Sequence, residues 1–101
     1  MHVVATGKQN GHTYLNSEAD YRVPANLSID IDVRGTRALE SQLGGPPDQF
    51  YKGKWIEVHG DARRVRIRFD DNYGQPTRKY YFQIHVFVRE PGQIRVVPPP
   101  R

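Results

Sequence analysis

Hydrophobic and polar residues alternate over much of this chain, which is typical of β-strands with one buried face. Residues 27–33 show the strictest alternation. One side of this segment carries Leu27, Ile29, Ile31 and Val33, and the other side carries Ser28, Asp30 and Asp32. The pattern predicts a half-buried strand whose acidic side faces solvent.

Two shorter strands are predicted before this one, at residues 2–7 and 13–17. Asn10 and Gly11 lie between them and favour a tight hairpin turn. The segment 18–26 is polar and contains a proline, so it predicts an irregular connection.

After residue 33 the apolar residues follow the period of a helix. Ala38, Leu39 and Leu43 form one apolar stripe, and Thr36 is the predicted N-cap. The sequence Gly-Gly-Pro-Pro at 44–47 predicts the end of the helix, because glycine favours the C-terminal cap and proline cannot continue the helix.

Two long strands are predicted in the second half, at residues 54–69 and 80–88. The first is too long to run flat, so a bend or bulge is expected at Gly60. Beyond this bend the arginines Arg64, Arg66 and Arg68 are expected to face outward. In the second strand the expected inward set is Tyr80, Phe82, Ile84, Val86 and Val88. A short terminal strand follows.

Three strands, a helix and two long strands occur in the order of an OB-fold. We therefore predict a mainly β protein: a five-stranded OB-fold Greek-key barrel with one short helix between strands 3 and 4. Residues 1–97 are predicted to form a single domain, and residues 98–101 a proline-rich tail. Its core is expected to contain Ile29, Ile31, Ile56, Val58 and Ile84.

The charge of the chain is uneven. Residues 1–50 contain four basic and six acidic residues, whereas residues 51–101 contain eleven basic and five acidic ones. Residues 52–69 alone hold six of the fifteen basic residues. A basic half of this kind favours contact with a polyanion, chiefly nucleic acid or anionic lipid.

Composition narrows the candidate chemistry. Cysteine is absent, which excludes disulfides, thiolate metal sites and cysteine nucleophiles. The four histidines lack a short metal-ligand spacing, and Asp30 and Asp32 are more typical of the wet face of a strand than of a metal site. We therefore predict no enzyme activity, cofactor or metal. No membrane span or signal peptide is expected, and the compartment stays open.

Three motifs resemble a bacterial family of small OB-fold domains described as nucleic-acid binding. The first is Tyr14, Leu15, Asn16, Ser17, Glu18, Asp20, Tyr21, Arg22 and Asn26. The second is Tyr51, Gly53, Lys54, Ile56, Val58 and Gly60. The third is Glu90, Pro91, Gln93, Ile94, Val96 and Val97. The segment 14–22 also resembles the first part of the thermonuclease barrel, but the acidic loop motif of that enzyme group is missing.

The resemblance implies a site for single-stranded DNA or RNA on the outer face of strands 2 and 3, flanked by the loops at residues 8–12 and 70–79. The second loop and the residues beside it are the favoured part of this site. The basic and aromatic candidates are Arg64, Arg66, Arg68, Tyr73, Arg78, Lys79 and Tyr81. Cations neutralise phosphates and rings stack on bases. Opposed to this reading is the acidic side of residues 27–33, which would repel phosphate.

A second hypothesis is a protein-interaction or structural module of a larger envelope or secreted protein. If the two long strands pair in register, they form an exposed patch for a protein partner, with Trp55, His59, His85 and Phe87.

Overall fold

The computed structural model describes the backbone of residues 1–70 and 76–100 and the side chains of residues 1–67 and 80–100. In chain order its elements are β1 (Ala5–Gln9), β2 (His12–Asn16), β3 (Leu27–Ile31), α1 (Val33–Leu43), α2 (Pro47–Tyr51), β4 (Trp55–Val58), β5 (Ala62–Asp70), β6 (Pro76–Val88), a 3-10 turn (Pro91–Gln93) and β7 (Ile94–Val97).

The prediction of a five-stranded OB-fold barrel is wrong. The described strands form an open, mixed five-stranded sheet in the order β1-β2-β3-β6-β5 and a separate two-stranded sheet, β4-β7. β3 and β6 run parallel, and the other neighbours in both sheets are antiparallel. The open sheet has β1 at one edge and β5 at the other.

The physical reason is that the predicted long strand 54–69 divides near Gly60. The part before Gly60, β4, pairs with the C-terminal strand β7 in the register Trp55↔Val97. The part after it, β5, pairs with β6. The two halves therefore belong to different sheets, and the described strands do not close into a barrel.

Residues 1–4 connect the two sheets. The amide of Val3 donates to the carbonyl of Lys54 at 2.9 Å, and the amide of Val4 donates to the carbonyl of Asn16 at 2.9 Å. Lys54 precedes β4 and Asn16 ends β2, so one short segment holds both sheets.

One hydrophobic core lies between the two sheets and the helices. It contains Val3, Leu15, Ile29, Ile31, Leu39, Tyr51, Ile56, Val88 and Ile94. Ile29, Ile31 and Ile56 thus share a core, as expected, and Val58 packs against it. Ile84 does not, because its side chain is 43% exposed.

The helix begins earlier than predicted. Asp32, not Thr36, is the N-cap of α1, and its carboxylate accepts a hydrogen bond from the amide of Gly35 at 2.8 Å. Thr36 is buried in the first turns instead, 3.0 Å from the hydroxyl of Thr13. The predicted end is confirmed: Gly44 caps α1 in the left-handed conformation. Among the described helices, none has the length and apolar character needed to span a membrane.

The length of β6 explains why part of the predicted inward set is exposed. β3 pairs only with residues 84–88 of β6, whereas β5 pairs along β6 to Pro76. The β5-β6 hairpin therefore projects beyond the core. Tyr80 and Phe82, predicted to face inward, are 52% and 41% exposed.

Candidate functional site

The projecting hairpin carries an exposed surface on which arginines alternate with apolar and aromatic residues. We call it the arginine–aromatic face and define it by Arg64, Arg66, Tyr80, Phe82 and Ile84, all of them exposed. Strand register places these side chains together, because Arg64 is opposite Ile84 and Arg66 is opposite Phe82. Directly paired residues in a sheet point to the same side.

Each arginine lies over the ring diagonally opposite in the hairpin. The guanidinium of Arg64 is 4.5 Å from the ring centre of Phe82, and that of Arg66 is 5.0 Å from the ring centre of Tyr80. Both distances are within the range of cation–π attraction. The two rings contact each other edge to face at 5.6 Å. The result is an ordered surface of planar groups and positive charges.

The hairpin is also the most basic part of the chain. Residues 62–82 contain six basic and two acidic residues. Arg63 lies on the opposite side of β5, where its guanidinium is 5.6 Å from the ring centre of Phe87. Positive charge is therefore present on both sides of the hairpin.

Six of the seven predicted nucleic-acid residues fall into three groups, and Tyr81 stands apart from them. Arg64 and Arg66 are brought together on the arginine–aromatic face. Arg68, Arg78 and Lys79 belong to β5 and β6, but their side chains lie outside the described part of the chain. Tyr73 lies wholly outside the described residues.

Tyr81 points to the opposite side of the hairpin from Arg66. It is paired with Ile67, and its hydroxyl lies 3.5 Å from the carbonyl oxygen of Tyr21. Burial raises the pKa of the Tyr81 phenol, with the Tyr21 and Asp20 side chains acting in the same direction. It therefore belongs to a different surface from the one predicted.

Tyr80 and Phe82 were not among the predicted site residues, because they alternate in phase with Ile84, Val86 and Val88 and were therefore assigned to the core. Their exposure follows from the lengths of the paired strands. β3 has five residues and pairs only with residues 84–88 of the thirteen-residue β6, so Tyr80 and Phe82 lie beyond the part of β6 that is next to β3.

The acidic side of β3 is not exposed as expected. Asp30 is only 7% exposed, and its carboxylate is 2.6 Å from Nδ1 of His12. Asp32 is the N-cap of α1. These carboxylates are hydrogen-bonded within the fold, so they are less available to repel a polyanion than the sequence predicted.

The structure does not assemble the predicted protein-interaction patch. Trp55 lies on β4, which pairs with β7 rather than β6, and its indole stacks on the His2 ring at 4.9 Å. His59 is exposed and lies 2.8 Å from the carboxylate of Glu57. His85 and Phe87 lie on β6 in the other sheet. A protein-binding role for these residues stays a prediction.

A concave surface lies on the other side of the five-stranded sheet from the arginine–aromatic face. This surface, the sheet groove, has a volume of about 620 Å³ and is lined by residues that include Gly7, Lys8, Tyr14, Tyr21, Ser28 and His85. Ile67 of β5 also lines it. Both edge strands reach the groove, which shows that the open sheet is strongly curled.

Within the described residues, no group of three histidine, aspartate or glutamate side chains could hold a metal ion. A scan against protein-family models, a search of curated proteins and a search of solved structures each found no match for this chain. The resemblance to a nucleic-acid-binding family thus stays a prediction.

Proposed function

We propose that this protein is a non-enzymatic binding module for single-stranded nucleic acid, and that the strand lies along the arginine–aromatic face. The observation that carries the proposal is the placement of two guanidinium groups over two exposed rings on a projecting hairpin. Both types of group have a partner in a nucleic acid: the cations pair with phosphates, and the planar groups stack on bases.

Single strands fit this surface better than duplexes. In a duplex the faces of the bases are stacked on one another, so an exposed tyrosine or phenylalanine ring has no base to contact. In a single strand the bases are accessible, and stacking on an aromatic side chain contributes about 1–3 kcal/mol per base with little sequence preference. The surface therefore favours binding that is sensitive to salt and tolerant of sequence.

The test is a fluorescence-anisotropy titration of a labelled oligothymidylate, repeated over a series of salt concentrations and with the corresponding duplex. We expect the single strand to bind more tightly than the duplex, and its affinity to fall as salt rises. The double variant Arg64→Ala/Arg66→Ala should bind more weakly and reduce the slope of log affinity against log salt by about 1.4, since each lost phosphate contact to a single strand contributes about 0.7.

The rings and the charges are separable in this assay. Phe82→Ala should cost about 1–3 kcal/mol of binding and leave the salt slope nearly unchanged, because it removes stacking but no charge. The matched control is Arg34→Ala/Arg37→Ala, which removes the same charge from the exposed side of α1. Equal weakening by the control pair, or no binding at low salt, would contradict the proposal.

A further inference from the structure

The free edge of β5 carries a second inference, which goes beyond the proposed function because it concerns the backbone of the hairpin and a protein partner. β5 is the last strand of the five-stranded sheet, and among the described strands it pairs only with β6. It has nine residues, whereas β1 at the other edge has five. An edge strand presents a row of amides and carbonyls on which a further strand can be added.

The register of the hairpin identifies the backbone groups on this free edge. The amide of Phe87 donates to the carbonyl of Asp61 at 3.3 Å, so these residues form a hydrogen-bonded pair. Such pairs alternate along an antiparallel ladder, which directs the backbone groups of Arg63 and Val65 toward β6. The residues of the other phase direct their backbone groups to the free edge: Ala62, Arg64 and Arg66.

The edge is regular over most of its length. The β5-β6 register is continuous from Ala62 to Arg68 and shifts only between Arg68 and Asp70. Within the described residues, no hydrogen bond is made to the outward backbone groups of Arg64 and Arg66. A bulge would twist the edge away from a partner strand, and this one lies beyond the regular part. The regular part can therefore pair with an extended segment.

The two faces of β5 differ in chemistry, and this difference determines which segment fits. Arg64 and Arg66 are exposed on the arginine–aromatic face, and within the described part of the chain neither forms a salt bridge. Val65 and Ile67 follow Arg63 on the opposite face and are partly buried. Directly paired residues of neighbouring strands point to the same side, where opposite charges attract. A segment with acidic residues in one phase and apolar residues in the other complements both faces.

We propose that the free edge of β5 binds an extended segment of a partner protein in which acidic and β-branched residues alternate, added as an antiparallel strand. The carboxylates lie beside Arg64 and Arg66, and the apolar side chains lie beside Val65 and Ile67. The backbone of the segment bonds to the outward amides and carbonyls, which give affinity, while the alternation gives specificity.

A second copy of this chain does not match the same edge. Antiparallel pairing of two β5 strands centred on Val65 would place Arg64 of each copy opposite Arg66 of the other. Like charges directly opposite each other destabilise a strand pair. The arginines therefore protect the edge from its own copies and select an acidic strand instead.

The test follows backbone amide shifts by NMR during titration with the acetylated and amidated peptide TEVEVEVET. The matched control TEEVVVEET has the same composition and charge but no alternation. We expect saturable shifts at the amides of Arg64 and Arg66 with the first peptide, and binding of the control that is weaker by about ten-fold or more, because it cannot place carboxylates and valines on separate faces.

Methylated peptides separate strand addition from simple charge attraction. In an antiparallel strand the glutamates opposite Arg64 and Arg66 direct their N–H groups toward β5, and the valines direct theirs away. N-methylation of the two middle glutamates of TEVEVEVET should therefore weaken binding by about ten-fold or more, since two hydrogen bonds are lost. N-methylation of two valines, with the same chemical change, should leave the affinity within about two-fold of the parent peptide.

Two protein variants complete the test. Arg64→Glu/Arg66→Glu should lose TEVEVEVET and gain the lysine counterpart TKVKVKVKT, because the charge of the edge is reversed. Phe82→Ala removes a ring that the nucleic-acid proposal needs but no charge or edge amide of β5, so it should bind TEVEVEVET as the parent chain does. No nucleic acid is present in these titrations, so failure of the first proposal is distinguishable from failure of this one.

Four results would overturn the inference. They are the absence of saturable shifts in β5, equal affinity for TEEVVVEET, equal affinity for the two methylated peptides, and unchanged peptide binding by Arg64→Glu/Arg66→Glu. Shifts of the Arg64 and Arg66 amides that grow with protein concentration in the absence of peptide would assign the edge to a second copy of the chain and also contradict it.

Discussion

Gly60 permits the close approach between the segment that links β4 to β5 and the end of β6. A Cβ at this position would lie 2.6 Å from the carbonyl oxygen of Phe87 and 3.2 Å from Cγ1 of Val86. The first contact involves backbone, which cannot rotate away. Gly60→Ala should therefore lower the free energy of unfolding by about 1–3 kcal/mol, as for other overpacked sites, measured by urea denaturation.

Gly45→Ala is the matched control. A Cβ at Gly45 meets no atom within 4 Å. Alanine there restricts the unfolded chain and should change stability by less than about 1 kcal/mol, in the stabilising direction. If both variants unfold at the same urea concentration, Gly60 is not needed for the division between β4 and β5.

The two strands of the small β4-β7 sheet are connected by an ion-pair cluster. The Glu57 carboxylate accepts hydrogen bonds from Nε and Nη2 of Arg95, at 3.2 and 3.0 Å, and lies 2.8 Å from Nε2 of His59. Arg95 is opposite Glu57 in the strand register. The two strands thus bring together charges that are far apart in sequence.

This cluster predicts that the ion pair between Glu57 and Arg95 is lost in acid. The Arg95 hydrogen bonds, followed by that of His59, lower the pKa of Glu57 from 4.5 to about 2. A carboxyl with a lowered pKa stabilises the fold above its ordinary pKa, and this contribution is lost as the pH falls toward 2. An NMR titration of the Glu57 side chain should give a midpoint near 2, and Arg95→Ala should raise it toward 4.5. A parent midpoint near 4.5 would contradict the pairing.

The sequence predicted the individual elements better than their partners. β2, β3 and the end of α1 follow from local alternation, helical period and a glycine cap, which act over a few residues. The pairing of β4 with β7 connects residues about 40 positions apart and has no local signal. The barrel prediction failed for this reason, and the predicted patch around Trp55 depended on the same wrong pairing.

The candidate site shows the same limit. The alternation of Tyr80, Phe82, Ile84, Val86 and Val88 correctly places these residues on one side of β6. Alternation does not reveal how far the core extends below that side, so exposed rings and core residues have the same pattern. Asp30 shows the same limit in the opposite direction. The alternation predicted an exposed side chain, but Asp30 is buried and contacts His12, which strand pairing brings near.

Residues 1–4 give the two sheets a shared backbone connection. The amide of Gly53 donates to the carbonyl of Val3 at 2.7 Å, and the amide of Ile56 donates to the carbonyl of Met1 at 2.8 Å. The Val3 side chain is fully buried in the common core, whereas the adjacent Val4 is 39% exposed. These neighbours offer a matched pair of substitutions.

Val3→Ala should lower the free energy of unfolding by about 2 kcal/mol, because it removes two buried methyl groups and leaves a cavity between the sheets. Val4→Ala, with the same chemical change at an exposed position, should cost less than about 0.5 kcal/mol. Hydrogen exchange gives the more specific readout: in Val3→Ala the amides of Gly53 and Ile56 should lose more protection than that of Leu15, which is bonded within the larger sheet. Equal loss at all three amides would mean that the two sheets open as one unit and that residues 1–4 do not set the stability of the smaller sheet.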